Sequence, residues 1–424
     1  MPRTFPFSKE IVNNLVSTFG TPLQIYDGDG IRKHALNFME AMRLHFPSFE
    51  QYFAVKALPN PHILKLLKEC GMGFDCSSVP ELYIADRLKG KIMYTSNYTS
   101  EDDLDYALQF ENTIINLDDI DGFENLQYNV NRYGYDYPDT ICFRYNPNFG
   151  GTSSETKSNI LGGQNSKFGM PIDRLIMAYK LAKEEGIKKF GIHTMTGSCI
   201  LDINYWSGLT DAIFEAVDRL KKELDIDLEF INLGGGIGIP YRPLETEIDI
   251  DKLALLLRQS FDRNMAKYGL THEPKLVMEN GRYITGSFGW LISTCTSIKK
   301  TTSDISFFGL DACMAHLMRC GMYNAYHHIS ILGKEFSPFF QHANVVGTLC
   351  ENNDWFARNI LLPSDAQKDD LFIIYDTGAH SHSMGFQYNA KLRAPEIMYI
   401  NDSFKLIRKR ETIDDYFSTV IKDF

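Results

Sequence analysis

The chain has 424 residues, too many for one small core and enough for a large domain and a second. Apolar residues make up 44% and charged residues 23%, an ordinary globular composition, and the net charge of −11 argues against nucleic-acid or anionic-membrane partners. The N-terminal MPRTFPFSKEIVNNL has no apolar h-region and no stretch approaches the ~20 apolar residues of a membrane span, so neither a secretory signal nor a membrane anchor is expected.

Eight cysteines are scattered along the chain with no CxxC pair. That pattern predicts packing thiols in a reduced, cytoplasmic protein and no metal site.

In chain order, Leu23–Tyr26 reads as a short first strand. Eight short, mostly apolar strand candidates follow: Gln51–Ala57, Gly73–Ser78, Lys91–Ser96, Thr113–Leu117, Thr140–Asn146, Lys189–Met195, Phe230–Gly236 and Lys275–Asn280. Amphipathic helical patterns separate most of them, at Pro61–Cys70, Pro80–Lys89, Glu101–Phe110, Ile172–Glu185, Asn204–Leu224 and Ile250–Tyr268. Eight strands alternating with helices close a (β/α)8 TIM barrel, and the count favours that fold over a doubly wound open sheet.

After about residue 285 the texture changes to strands at Trp290–Ile298, Ile305–Leu310, Asn344–Leu349, Leu371–Tyr375, Glu396–Ile400 and Ser403–Ile407. Long helical patterns are absent there until the final residues. The expected organisation is an N-terminal segment, 1–40, joining a mostly β C-terminal domain, 286–424, with the barrel at 41–285.

Active-site groups of such a barrel sit at the C-terminal ends of its strands. The first barrel strand ends at Lys56, in Tyr52-Phe-Ala-Val-Lys-Ala-Leu-Pro-Asn60. An ammonium is costly to bury, so burial should lower the pKa of this lysine and free the amine for Schiff-base chemistry. Pairing with a buried carboxylate is the equal alternative. The seventh strand runs into Leu233-Gly-Gly-Gly-Ile-Gly-Ile-Pro-Tyr241, whose glycines let a phosphate approach backbone N–H groups.

The eighth strand ends in Val277-Met-Glu-Asn-Gly-Arg282. Glu279 there is placed to face a pyridine nitrogen, and Arg282 to hold a carboxylate or phosphate, although the two could form only a salt bridge. The sixth ends in His193-Thr-Met-Thr-Gly-Ser198, where Gly197 and Ser198 could donate to phosphate and His193 is ambiguous. Together these groups describe a pocket for pyridoxal 5'-phosphate (PLP).

These residues resemble the alanine-racemase-like barrel decarboxylases (PLP-dependent fold type III), and within them the diaminopimelate decarboxylases. The resemblance runs from Gly20-Thr-Pro-Leu-Gln-Ile-Tyr26 to Arg393–Glu396. It is carried by Tyr52–Asn60, Gly73–Leu82, Ser166–Met170, Gly234–Tyr241, Glu279–Arg282, Arg319–His327, Cys350–Asp354 and Asp376–Asn389.

The resemblance implies decarboxylation of meso-2,6-diaminopimelate to L-lysine and CO2. It implies that Lys56 carries the cofactor, that Ser198, Gly235 and Gly236 hold its phosphate, and that Glu279 binds its ring nitrogen. It assigns Arg282, Arg319 and Tyr323 to the distal carboxylate of the substrate, Cys350 to proton donation and Glu351 to the distal amino centre. Tyr388 then contacts substrate or cofactor, and the enzyme is a homodimer in which Cys350 and Glu351 come from the partner.

Four positions depart from the family pattern. Met195 stands where a ring-stacking histidine is usual, Asn280 where proline is, and His380 where a phosphate-binding tyrosine is. Asn352-Asn353-Asp354 replaces the more usual Ser-Gly-Asp. The readings left beside this one are decarboxylation of another basic amino acid (ornithine, lysine, arginine) or of a carboxylated polyamine, an amino-acid racemase, and a non-catalytic PLP-binding barrel protein.

Overall fold

The structure, a computed structural model, describes residues 5–110, 113–154, 157–302 and 305–421. It begins with α1 (Lys9–Phe19), started by the Ser8 hydroxyl, which accepts from Ile11 N–H at 3.3 Å. Such a cap satisfies one of the orphan amides of a first turn. Strand β1 (Leu23–Asp27) and helix α2 (Gly28–His45) follow.

The chain then alternates through β2 (Glu50–Ala54), α3 (Pro61–Glu69), β3 (Gly73–Cys76), α4 (Val79–Arg87), β4 (Ile92–Thr95), α5 (Glu101–Leu108), β5 (Thr113–Leu117), α6 (Ile120–Tyr133) and β6 (Thr140–Arg144). It continues through α7 (Ile172–Glu184), β7 (Lys189–His193), α8 (Asn204–Leu224), β8 (Phe230–Asn232), α9 (Ile250–Tyr268) and β9 (Lys275–Met278). Strands β2 to β9 pair in parallel with their sequence neighbours, and β9 pairs back onto β2 through Glu50 and Val277, closing the barrel.

All eight expected barrel strands are present, each three to five residues long. Their interior is filled by Tyr52, Met93, Cys142, Phe230 and Val277. Glycine is required at Gly191, where a Cβ would collide with the Phe230 ring. Pro61 opens α3 at a position whose N–H has no helical partner, with Asn60 Oδ1 accepting from His62 N–H at 3.1 Å.

After the single turn α10 (Arg282–Thr285) the chain forms β10 (Gly289–Lys300), β11 (Ser306–Leu310), α11 (Met318–Tyr323), β12 (Ile329–Ile331), β13 (Phe340–Val346), β14 (Trp355–Pro363), β15 (Leu371–Ile374), β16 (Glu396–Ile400), β17 (Ser403–Arg408) and α12 (Ile413–Tyr416). They form a nine-stranded sheet in the order β14-β13-β11-β10-β1-β16-β17, with β15 against β10 and β12 against β15. β1 joins it as expected, antiparallel to β10 and parallel to β16. Leu291, Phe308, Val345, Phe356 and Phe372 build one core of this sheet, and Val12 and Leu15 of α1 pack with Leu23, Ile25 and Trp290 in another.

The chain divides into two compact units. The β unit takes the segment up to Ile31, Pro240–Glu245 and everything from Thr285 on. The barrel unit takes Arg32–Ile239 and Thr246–Ile284. Helices α1, α2 and α6 and strands β12 and β14 were not expected from the sequence, and the strand expected at Asn344–Leu349 lies at Phe340–Val346.

Candidate active site

The sequence places Lys56 inside a strand; the structure places it just past one. Val55–Ala57 form a turn of 3-10 helix beyond the C-terminal end of β2. The Lys56 side chain projects into the barrel mouth, 49% exposed yet ringed by wall atoms, and its Nζ lies 3.2 Å from Asp75 Oδ2. Asp75, on β3, is fully buried.

Burial pulls the Lys56 pKa down, as the sequence reading supposed. Asp75, Glu279 and Glu81 outweigh it, and the net shift is upward. The expectation of a lowered pKa is therefore corrected: three carboxylates within reach hold the free amine as an ammonium. Burial and the neighbouring Glu279 raise the pKa of Asp75, against Lys56.

Glu279 sits just past the end of β9, with 5% of its surface exposed. Two side chains clamp its carboxylate. His193 Nε2 lies 3.0 Å from Oε2, and Asn232 Nδ2 donates to Oε1 at 2.6 Å. Burial alone would raise this carboxyl's pKa, but His193, Lys56 and Asn232 bring it below the usual value. His193, ambiguous in sequence, is thus a carboxylate partner, and its buried Nδ1 has no hydrogen-bond partner among the described residues.

Asn232 also accepts from Gly234 N–H at 2.8 Å, fixing the start of the glycine turn against Glu279. The Gly235 and Gly236 amides have no acceptor among the described residues. A Cβ at Gly235 would lie 2.5 Å from the Glu279 carbonyl, and one at Gly236 2.5 Å from the Gly197 carbonyl. The loops after β7, β8 and β9 therefore meet backbone to backbone. Ser198 Oγ accepts from Arg282 Nη2 at 3.4 Å, joining two more of the expected residues.

Met195 follows β7 with its sulfur close to Gly234, and its carbonyl accepts from Arg144 Nη2 at 3.3 Å. Arg144 is buried, contacts Asp118 at 3.5 Å and lies 4.5 Å over the Phe168 ring.

An ammonium, an ionised carboxylate with fixed partners, and two open glycine amides beside a hydroxyl and a guanidinium are what a ring with an aldehyde, a basic nitrogen and a phosphate needs. The barrel mouth fits PLP.

The remaining expected residues lie in the β unit. Cys350 N–H donates to Asn389 Oδ1 at 2.7 Å, and Tyr388 Oη donates to the Cys350 carbonyl at 3.4 Å. The turn of Cys350, Glu351, Asn352 and Asn353 is closed by buried Asp354, whose carboxylate accepts from Leu349 N–H at 2.7 Å and Met314 N–H at 2.6 Å. The Glu351 carboxylate takes the Asn353 N–H at 3.1 Å within the same turn. A Cβ on Gly321 would run into the Asn353 carbonyl, so α11, which carries Arg319 and Tyr323, packs directly on this turn. His380 adopts a left-handed backbone, φ 54°, in the segment leading to Tyr388.

Residues 31–286 match the profile of the pyridoxal-dependent decarboxylase, pyridoxal binding domain. The chain belongs to the pyridoxal-dependent decarboxylases. Its cofactor is PLP.

Among curated relatives, Protein TabA of Pseudomonas amygdali pv. tabaci is 39% identical, with 98% of this chain and 93% of the relative covered. The diaminopimelate decarboxylase of Methanothermobacter thermautotrophicus is 33% identical, covering 95% and 92%. Among solved structures, diaminopimelate decarboxylase from Helicobacter pylori complexed with L-lysine superposes with a TM-score of 0.85 at 27% identity, covering 96% of this chain and 98% of that one.

Asp75, Asn232 and Arg144 join the expected residues at the barrel mouth, and the sequence pattern does not single them out. Asp75 had a usable signal, a carboxylate in the apolar strand Gly-Phe-Asp-Cys. Asn232 gave only its place before the glycine turn.

Proposed function

We propose that this enzyme removes one carboxyl group of meso-2,6-diaminopimelate as CO2, leaving L-lysine. The observation that carries the substrate is near-full-length similarity to diaminopimelate decarboxylases, including one 33% identical. Bound PLP supplies an electron sink for the pair released when the α-carboxylate leaves.

The protein's own part begins with Lys56, the amine that would hold the cofactor aldehyde. Gly235, Gly236, Ser198 and His380 would hold the phosphate, with Arg282 steadying Ser198. Glu279 would face the ring nitrogen and keep it protonated, a role supported by its depressed pKa and its clamp of His193 and Asn232. Met195 would offer a thioether to the ring face.

Arg282, Arg319 and Tyr323 would bind the distal carboxylate, Glu351 the distal amino group, and Tyr388 would border the substrate. Cys350 would return a proton to the α-carbon from Sγ. We assign Cys350 and Glu351 to the partner's site in a homodimer. The exposure of Cys350, when the other seven cysteines are buried, supports a role outside its own core. Eight free thiols support a reducing, cytoplasmic setting.

A second reading keeps the reaction and changes the substrate to another amino acid. It is favoured by the 39% identity to Protein TabA and by the departures at Met195 and His380. Carbon dioxide release measured with PLP over meso-diaminopimelate, ornithine, lysine and arginine decides between them. Turnover confined to diaminopimelate supports the first reading, and equal turnover of ornithine rejects it.

A further inference from the structure

Cys350 stands on the turn between β13 and β14, and its main chain is held on both sides. Its N–H donates to Asn389 Oδ1 at 2.7 Å, and its carbonyl accepts from Tyr388 Oη at 3.4 Å. One residue earlier, Leu349 N–H goes to the Asp354 carboxylate, and Asp354 N–H goes to the Glu351 carbonyl at 3.1 Å. The peptide groups on either side of the Cys350 Cα are therefore fixed. A cysteine has one side-chain torsion leading to its sulfur, so a fixed main chain leaves Sγ only three staggered positions.

Asn389 reaches Cys350 across 39 residues of sequence, from a segment that is itself tied down. It has φ 54° and ψ 25°, the left-handed region that asparagine enters more readily than most residues. Gln387 Nε2 donates to both Glu411 carboxylate oxygens at 2.9 Å, and Glu411 also accepts Arg393 N–H at 2.9 Å. One carboxylate thus clips both ends of the segment 387–393. All of these residues belong to the β unit.

We propose that Asn389 is a positioning residue for the return of the proton: by holding the Cys350 amide it aims Sγ at one face of the carbon that has lost CO2. This rests on the assignment of Cys350 to that proton. In the step, the electron pair left on the carbon takes the thiol proton. A C–H bond forms, the S–H bond breaks, and solvent later restores the thiol. A donor held on one side gives one stereochemical outcome, whereas a loose donor shares the step with water arriving on either side.

The test uses the full-length, PLP-loaded enzyme turning over meso-diaminopimelate in deuterium oxide. L-lysine then carries one deuterium on the carbon that lost its carboxyl group, and NMR after chiral derivatisation reads which face received it. Asn389→Gly keeps the left-handed backbone accessible and removes the acceptor. It should lower kcat roughly tenfold, within the ~10²–10⁴ that a positioned acid contributes, with KM near the wild-type value and label on both faces. Asn389→Asp keeps the backbone preference and an acceptor oxygen, and should return the label to one face. Hydrogen exchange read by mass spectrometry needs no substrate. The Cys350 amide should exchange about fivefold faster in Asn389→Gly, the scale of one hydrogen bond, and recover in Asn389→Asp. The PLP absorbance should stay as in the wild type in both variants.

Single-face labelling in Asn389→Gly, or a loss that Asn389→Asp does not repair, would overturn the proposal by reducing Asn389 to a loop-shaping residue. If Cys350→Ser loses turnover or single-face labelling and Asn389→Gly loses neither, the positioning role alone falls. If Cys350→Ser keeps both, the Cys350 assignment fails and this proposal with it. A wild-type enzyme that does not turn over meso-diaminopimelate would reject the proposed substrate and, with it, this proposal. Should Asn389→Gly not fold, Asn389→Ala carries the same comparison.

Discussion

Glu279 and Asn232 are joined at 2.6 Å, side chain to side chain, at the ends of adjacent barrel strands. The same asparagine takes the Gly234 N–H, so one side chain couples the Glu279 carboxylate to the start of the glycine turn.

Replacing Glu279 by glutamine removes the charge and keeps the shape. The kcat should drop by roughly 10²–10³, the usual cost of losing a preorganised electrostatic partner, while PLP still binds. Stopped assays beside cofactor absorbance check this. There is a stability consequence too. The folded pKa of Glu279 lies below the ordinary 4.5, so its contribution is complete above that value and is lost as pH falls through the folded value. The difference in unfolding free energy between wild type and Glu279→Gln should therefore be flat above pH 4.5 and shrink below it in urea titrations.

Asp75 makes Lys56 harder to deprotonate. In Asp75→Asn the amine should become available at lower pH. Reconstitution of the apoenzyme with PLP, followed by absorbance, should shift its pH profile toward acid. An unchanged profile would mean that Glu279 and Glu81 suffice to hold the ammonium. Lys56→Ala should show no lysine-bound cofactor absorbance at any pH.

Glu351 is exposed in the β unit and is assigned to the distal amino group of the substrate. Glu351→Gln should cut kcat/KM for meso-diaminopimelate by at least about tenfold and leave PLP affinity alone. Fluorescence titration of PLP in parallel with the decarboxylase assay separates the two effects.

A shared site makes a prediction about mixtures. Chains carrying Lys56→Ala and chains carrying Cys350→Ala should each be inactive. Combined and re-equilibrated they should recover activity, up to about a quarter of wild type, because heterodimers hold one intact site. Mixtures that remain dead would remove Cys350 from the partner's site.

The barrel was legible because each of its strands is short, apolar and followed by a turn, a local signal that needs no knowledge of neighbours. Glu279 and the glycines were legible because strand ends are where a barrel does chemistry. The pairings were not. Asp75 and Lys56 are 19 residues apart, and Glu279 and His193 are 86 apart, so their contacts exist only once the barrel has closed. That is also why the lysine pKa was read in the wrong direction: burial is a local inference, and the carboxylates that reverse it arrive from other strands.

Helix α6 escaped notice because Gly122 and three asparagines dilute its pattern, although Asp119 and Gly134 cap its ends. Strand β14 hid behind the exposed Arg358 and Asn359 in its middle, the latter with φ 50°.

The Tyr241 ring beneath Arg319 comes from Pro240–Glu245, a hexapeptide that the β unit takes from between two barrel segments. The polypeptide thus changes unit four times, after Ile31, Ile239, Glu245 and Ile284. No single cleavage can release either unit as one continuous piece. A lone barrel would need its own ends rejoined across the missing hexapeptide, and a lone β unit would forfeit the aromatic floor of its arginine. Evolution of this chain by simple swapping of its C-terminal half is correspondingly restricted, since a replacement unit must also accommodate six residues that it does not encode.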